Sequence, residues 1–285
     1  MNKLLLVLLL VISNGVLAET PCSFDKTALR FMGTPTNQSL CLLREVKRWG
    51  KLSPNLHKLP SPLSELVGIE TDISEEKLRQ YIASIDVKES DLGGLISDDI
   101  SRAKSGNPTS AFANYFVIHD TSTPNFKEQD FPGNINESTW DHNKLARWNK
   151  GENSKAHVFV NRLGESISPV HFSVPWRATK FELQYGSDDL KGLFIHIELV
   201  QPRKSVSGTS KGNDAIGPTP GFTEAQYRRL ALLYIAASVR RGSWLIPTYH
   251  TVLDAGKADG HDDPQNFSLE NWANALAEIR ESIQH

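Results

Sequence analysis

The strongest constraint on the fold of this chain is a series of short apolar runs that gives way to long helical patterns. The runs are Tyr115 to His119, His157 to Asn161, Ser166 to Val170 and Leu193 to Val200. They are rich in β-branched and aromatic residues and read as buried strands. After a Gly/Ser-rich loop from Ser205 to Pro220, Thr223-Glu224-Ala225-Gln226 is a capping box, and the helix it opens carries Tyr227, Leu230, Leu233, Tyr234 and Ala237 on one face. A last helix starts at Ser268, with Leu269, Trp272, Leu276 and Ile279 at helical spacing. Short strands followed by long helices predict an α/β (α+β) domain, a central sheet flanked by helices. No internal repeat or coiled-coil heptad is visible.

Ahead of this domain the chain is less regular. Residues 1–18 have the pattern of a secretory signal: Lys3, an apolar core from Leu4 to Ile12, and the small-residue end Val16-Leu17-Ala18. The apolar core is shorter than the roughly 20 residues needed to cross a bilayer. Thr20-Pro21 before Cys22 does not resemble a lipidation site, so no membrane anchor is expected in the mature chain. Residues 19–108 form an N-terminal extension, partly helical, with a Pro-rich stretch from Pro54 to Pro62 and a helix capped by Ser74 that places Leu78, Tyr81, Ile82 and Ile85 on one face. Its role is not legible. The loop Ser105-Gly106-Asn107-Pro108 sets the start of the main domain at about residue 109. Cys22 and Cys41 are the only cysteines, and in an exported chain their natural state is one disulfide.

Lys and Arg total 31 against 33 for Asp and Glu, so no basic excess draws the chain to nucleic acid. Nine histidines are present, and a lone histidine is usually a surface or hydrogen-bonded residue. His57, His142, His171 and His285 are read that way, and His157 and His196, inside strand-like runs, are read as packing residues. His119 and His250 differ, because each stands where an apolar run meets a polar loop, a place from which a rigid element aims a side chain into an open site. The cluster Gly260-His261-Asp262-Asp263-Pro264 follows His250 closely. His119, His250 and Asp263 make a plausible metal set, two imidazoles and a carboxylate that leave a tetrahedral ion one open position. On spacing alone a charged surface turn explains the cluster equally well. No His-Glu-x-x-His helix is present.

Taken in order, these pieces resemble the zinc-dependent N-acetylmuramoyl-L-alanine amidases related to amidase-type phage lysozymes and to peptidoglycan recognition proteins. The resemblance runs from about Asn114 to Trp272. It is carried by Tyr115-Phe-Val-Ile-His119-Asp-Thr, Ala156-His157-Val-Phe-Val-Asn161-Arg-Leu-Gly164, Ile195-His196-Ile197-Glu198-Leu199, Gly221-Phe-Thr-Glu-Ala-Gln226, Tyr249-His250 and Asp263-Pro264. It implies a mixed sheet of five or six strands flanked by helices. It also implies Zn2+ on His119, His250 and Asp263, and hydrolysis of the amide between N-acetylmuramic acid and L-alanine in peptidoglycan or muropeptides. By the same resemblance Glu198 is the catalytic acid/base. His261 stands where the family commonly has a Lys that stabilises the oxyanion, and an imidazole can donate the same hydrogen bond.

Several positions depart from the family pattern. The catalytic Tyr of some phage relatives is Ala156 here, which leaves the base role to Glu198. The segment from His250 to Asp263 is longer than usual, which keeps Asp262 or His261 open as the third ligand; Pro264 favours Asp263. The family's Trp-His-Ala-Gly is Trp176-Arg177-Ala178-Thr179, and Gln265 replaces a Gly after Asp263-Pro264. Two other functions fit the same residues: a recognition module that binds muropeptides without cutting, and a zinc endopeptidase acting on the stem peptide.

Overall fold

The computed structural model describes residues 22–184, 188–205, 215–258 and 260–285. The expected signal at 1–18 and most of the Ser205–Pro220 loop lie outside them. At the centre is a mixed sheet of five strands, β1 (Tyr115–Asp120), β2 (Val158–Val160), β3 (Ser166–Ile167), β4 (Phe194–Leu199) and β5 (Ile246–Tyr249), in the order β3-β2-β4-β1-β5. Only β3 runs antiparallel to its neighbour; β2, β4, β1 and β5 are parallel. The α/β fold with a central mixed sheet is thus the one the sequence predicts. β3 ends at Ile167, short of Val170, because Pro169 has no N–H to give the ladder.

The unbroken apolar runs of β1 and β4 follow from cover on both faces. One face packs on the long helix Glu224–Arg241, where Phe116 meets Tyr234 edge to face at 5.2 Å, and Tyr234 in turn meets Trp272 of the last helix, Leu269–Gln284, at 5.3 Å. Thr223 caps the first of these with the full capping box and Ser268 caps the second. The helix Glu75–Ser84, capped by Ser74, buries Leu78 and Ile82 in the same core, whereas Ile85 is exposed.

The other face is covered by the N-terminal segment. Tyr115 Oη donates to Gln38 Oε1 at 2.9 Å and accepts from the Phe31 amide at 2.8 Å, and Phe31 stacks on Phe181 with centroids 5.4 Å apart. The Cys22–Cys41 disulfide is formed and closes this segment on itself. Replacing both cysteines by Ser is expected to cost about 3 kcal/mol, as expected for the chain entropy of a loop of this length. The check is urea unfolding, with a lowered midpoint and a steady slope for the native-like variant. Further along, the backbone folds so tightly against the loop of the candidate site that a Cβ on Gly50, at φ +70, would come within 3.0 Å of the Asp262 side chain. No described helix is long and apolar enough to cross a membrane.

Candidate metal centre

Because β1, β4 and β5 are parallel, their carboxyl ends meet at one edge, the edge at which open α/β sheets bind ligands. β1 ends in His119-Asp120, β4 in Glu198-Leu199, and β5 passes directly into His250. The register sets His119 beside Glu198, so both side chains leave the same face. Asp263 arrives on the returning loop: the Thr251 amide donates to the Asp263 carbonyl at 3.0 Å, and Thr251 Oγ1 donates to the His261 carbonyl at 2.6 Å. Asp120 then grips the end of that loop, its amide donating to Asp263 Oδ2 at 3.1 Å while its own Oδ2 accepts from Arg203 and from the Gln265 amide.

Three buried ligand atoms converge here. His119 Nδ1 lies 2.9 Å from His250 Nδ1 and 3.8 Å from Asp263 Oδ2, and His250 Nδ1 is 3.0 Å from Asp263 Oδ1. Ligands of a tetrahedral ion with bonds of 2.0–2.1 Å stand about 3.3 Å apart, so the donor set and its spacing fit a small divalent cation. Asp262 turns away, to Arg203 and Gln265. A second group, His250, Asp254 and His261, is also close enough to share an ion. It competes for the far nitrogen of His250, and a neutral imidazole has only one lone pair to give.

The electrostatics favour the first group. Burial, reinforced by the neighbouring His250, holds His119 well below the usual imidazole value, so it is neutral. Burial alone would also lower His250, but Asp263 and Asp254 reverse this and hold it protonated up to about 10. Burial works to raise Asp263 and His250 overcomes it, leaving the carboxyl below its ordinary range. The cluster therefore favours positive charge at its centre, and a dication answers that need. His250 Nε2 faces Asp254 Oδ2 at 3.2 Å, the carboxylate–imidazole arrangement that orients metal-ligating histidines.

Glu198, Asp263, His250 and His261 line one cleft of about 560 Å³ together with Lys155 and Arg177. Glu198 Oε2 is buried without a hydrogen-bond partner, and burial together with the nearby Asp263 charge pushes the carboxyl well above its usual range. His261 is half-exposed on the cleft wall, its Nδ1 2.7 Å from His250 Nε2 and 3.1 Å from Asp254 Oδ2. The structure thus brings His119, His250, Asp263, Glu198 and His261 to one place. Sequence reasoning passed over Asp254, which stands one helical turn after His250, and it read His196 as packing although His196 Nδ1 lies 3.0 Å from His119 Nε2.

No protein-family model and no curated protein matches this chain. Among solved structures, the crystal structure of a selenomethionine AmpD derivative aligns with 65% of this chain and 98% of its own at 18% identity, with a TM-score of 0.37.

Proposed function

We propose that this chain is an exported zinc hydrolase that cleaves the amide between N-acetylmuramic acid and L-alanine in peptidoglycan, working in the periplasm or outside the cell. The observation that supports this most directly is the convergence of His119, His250 and Asp263 beside an unpartnered Glu198 in one open cleft. The choice of bond rests on the ordered sequence motifs that resemble the amidases. Zinc bound there would supply Lewis acidity to polarise the scissile carbonyl and acidify water.

The chain's own residues do the rest. Glu198 takes a proton from the attacking water as its oxygen adds to the carbonyl carbon, then returns that proton to the leaving amine of L-alanine. A carboxyl with no fixed partner is free to make both transfers. His261, on the cleft wall, would donate a hydrogen bond to the developing oxyanion. Lys155 and Arg177 add positive charge to a cleft whose substrate carries stem-peptide carboxylates.

The test is to incubate purified protein with cell-wall sacculi and measure new L-alanine amino termini, with chelator and with zinc restored. Release that stops on chelation and resumes with zinc is the expected result. Unaffected release removes zinc from the mechanism. Binding to sacculi without release leaves a recognition module, and products cut within the peptide identify an endopeptidase.

A further inference from the structure

Behind the metal-facing edge of His119 lies a buried contact from His196 to Glu182 that the mechanism does not use. His119 Nε2 is 3.0 Å from His196 Nδ1, and His196 Nε2 is 3.3 Å from Glu182 Oε2. The His196 and Glu182 side chains have no exposed surface, and that of His119 is 1% exposed. Glu182 is fixed by its own turn: Thr179 and Glu182 form a capping box in which Oε2 accepts from the Ala178 and Thr179 amides at 3.0 Å each and from Thr179 Oγ1 at 2.8 Å. Capping explains why the carboxylate is ordered. It does not explain why a buried carboxylate confronts a buried imidazole whose Nε2, 3.3 Å from Oε2, has no hydrogen-bond partner.

We propose that Glu182 and His196 are positioning residues that select the one tautomer of His119 able to bind a metal. This rests on the zinc reading of the site. Two imidazoles facing each other through one nitrogen each share one hydrogen between them, and it sits on either His119 Nε2 or His196 Nδ1. With the hydrogen on His119 Nε2, its Nδ1 lone pair points at His250 and Asp263, and His196 carries its own hydrogen on Nε2, toward Glu182. In the opposite arrangement His119 Nδ1 is blocked by a hydrogen, and the bare Nε2 of His196 faces a carboxylate. The Glu182 charge makes that second arrangement unfavourable. His157 has no such freedom: its Nδ1 accepts from the His196 amide and its Nε2 donates to the Val174 carbonyl, which anchors the His196 backbone from behind. The short helix Lys180–Gln184 serves both histidine ligands, because it carries Glu182 while its Phe181 amide donates to Asp254 Oδ1 at 2.9 Å, behind His250.

The test compares zinc affinity, by competition with a chromophoric chelator, in the wild-type protein, Glu182→Gln and His196→Phe. Glu182→Gln keeps the shape and removes the charge; His196→Phe keeps a ring and removes the acceptor. Each is expected to weaken zinc binding about 10–100-fold, with melting temperature followed to show that the variant is folded. Histidine nitrogen spectra of the metal-free wild-type protein should show hydrogen on Nε2 of both His119 and His196, a signature that a purely structural role would not fix. Folded variants that bind zinc within twofold of wild type would overturn the proposal, as would hydrogen on His196 Nδ1. If neither variant folds, the wild-type spectrum decides alone. Wild-type protein that takes up no zinc sinks the metal reading and the relay together, whereas equal uptake in all three sinks only the relay.

Discussion

Glu198→Gln is expected to lower turnover on peptidoglycan by about 10²–10⁴-fold with zinc content unchanged. The substitution is nearly isosteric and removes the only group in the cleft, among the described residues, that is buried at one oxygen, unpartnered there, and raised in pKa by burial and by Asp263. A carboxyl shifted upward by burial holds a proton more readily than a free carboxylate does, which helps it keep the proton it later returns to the leaving amine. Glu198 lies outside the group of ligand atoms, so its loss leaves His119, His250 and Asp263 in place. Single-turnover release of L-alanine amino termini and metal content measured on the same preparation are the check. Near-wild-type turnover would return the base role to another group. Loss of zinc would make Glu198 a ligand rather than a base.

How much of this site the sequence discloses depends on whether a residue acts through its position in the chain or through a partner brought from far away. His119 and His250 are legible because each closes an apolar strand, and a parallel sheet carries all such closures to the same edge. Glu198 is legible because a carboxylate inside Ile195-His196-Ile197-Glu198-Leu199 is costly unless it faces a site. The choice between Asp262 and Asp263 rests in the sequence on Pro264 alone, because it depends on how the loop is drawn in by Thr251, Asp120 and Arg203, contacts that span up to 145 residues. Glu182 and His196 are hidden for the same reason. The capping box Thr179-Lys180-Phe181-Glu182 is visible in the sequence, but what its carboxylate faces appears only when the helix is laid on β4. The N-terminal segment is silent for a different reason: its covering role is performed by scattered residues, Phe31, Gln38 and Leu42, that share no period.

Asp263→Ala is expected to cost more zinc affinity than the roughly 100-fold that follows from loss of an outer hydrogen-bond partner, and to change how that affinity depends on pH. In the intact protein His250 holds its proton up to about 10, because the charges of Asp263 and Asp254 outweigh burial. A metal taking the His250 lone pair must displace that proton, so affinity rises by about tenfold per pH unit up to that value. The sign follows from the raised pKa: the competing proton is fully present at low pH and is lost only as pH climbs through about 10. Removing Asp263 takes away one of the three ligands and also the leading charge that raises His250. The rise in affinity should then level off at lower pH, with the absolute affinity reduced throughout. Asp254 remains in the variant, so His250 does not return fully to an ordinary imidazole, and Asp254→Asn in the same background should bring the plateau down further. Zinc titrations between pH 6 and 10 on both variants measure slope and plateau together. A plateau at the same pH in Asp263→Ala as in the wild-type protein would mean that the proton displaced by zinc is not the one on His250. Retained affinity would move the third ligand to the neighbouring group of Asp254 and His261, which already shares His250.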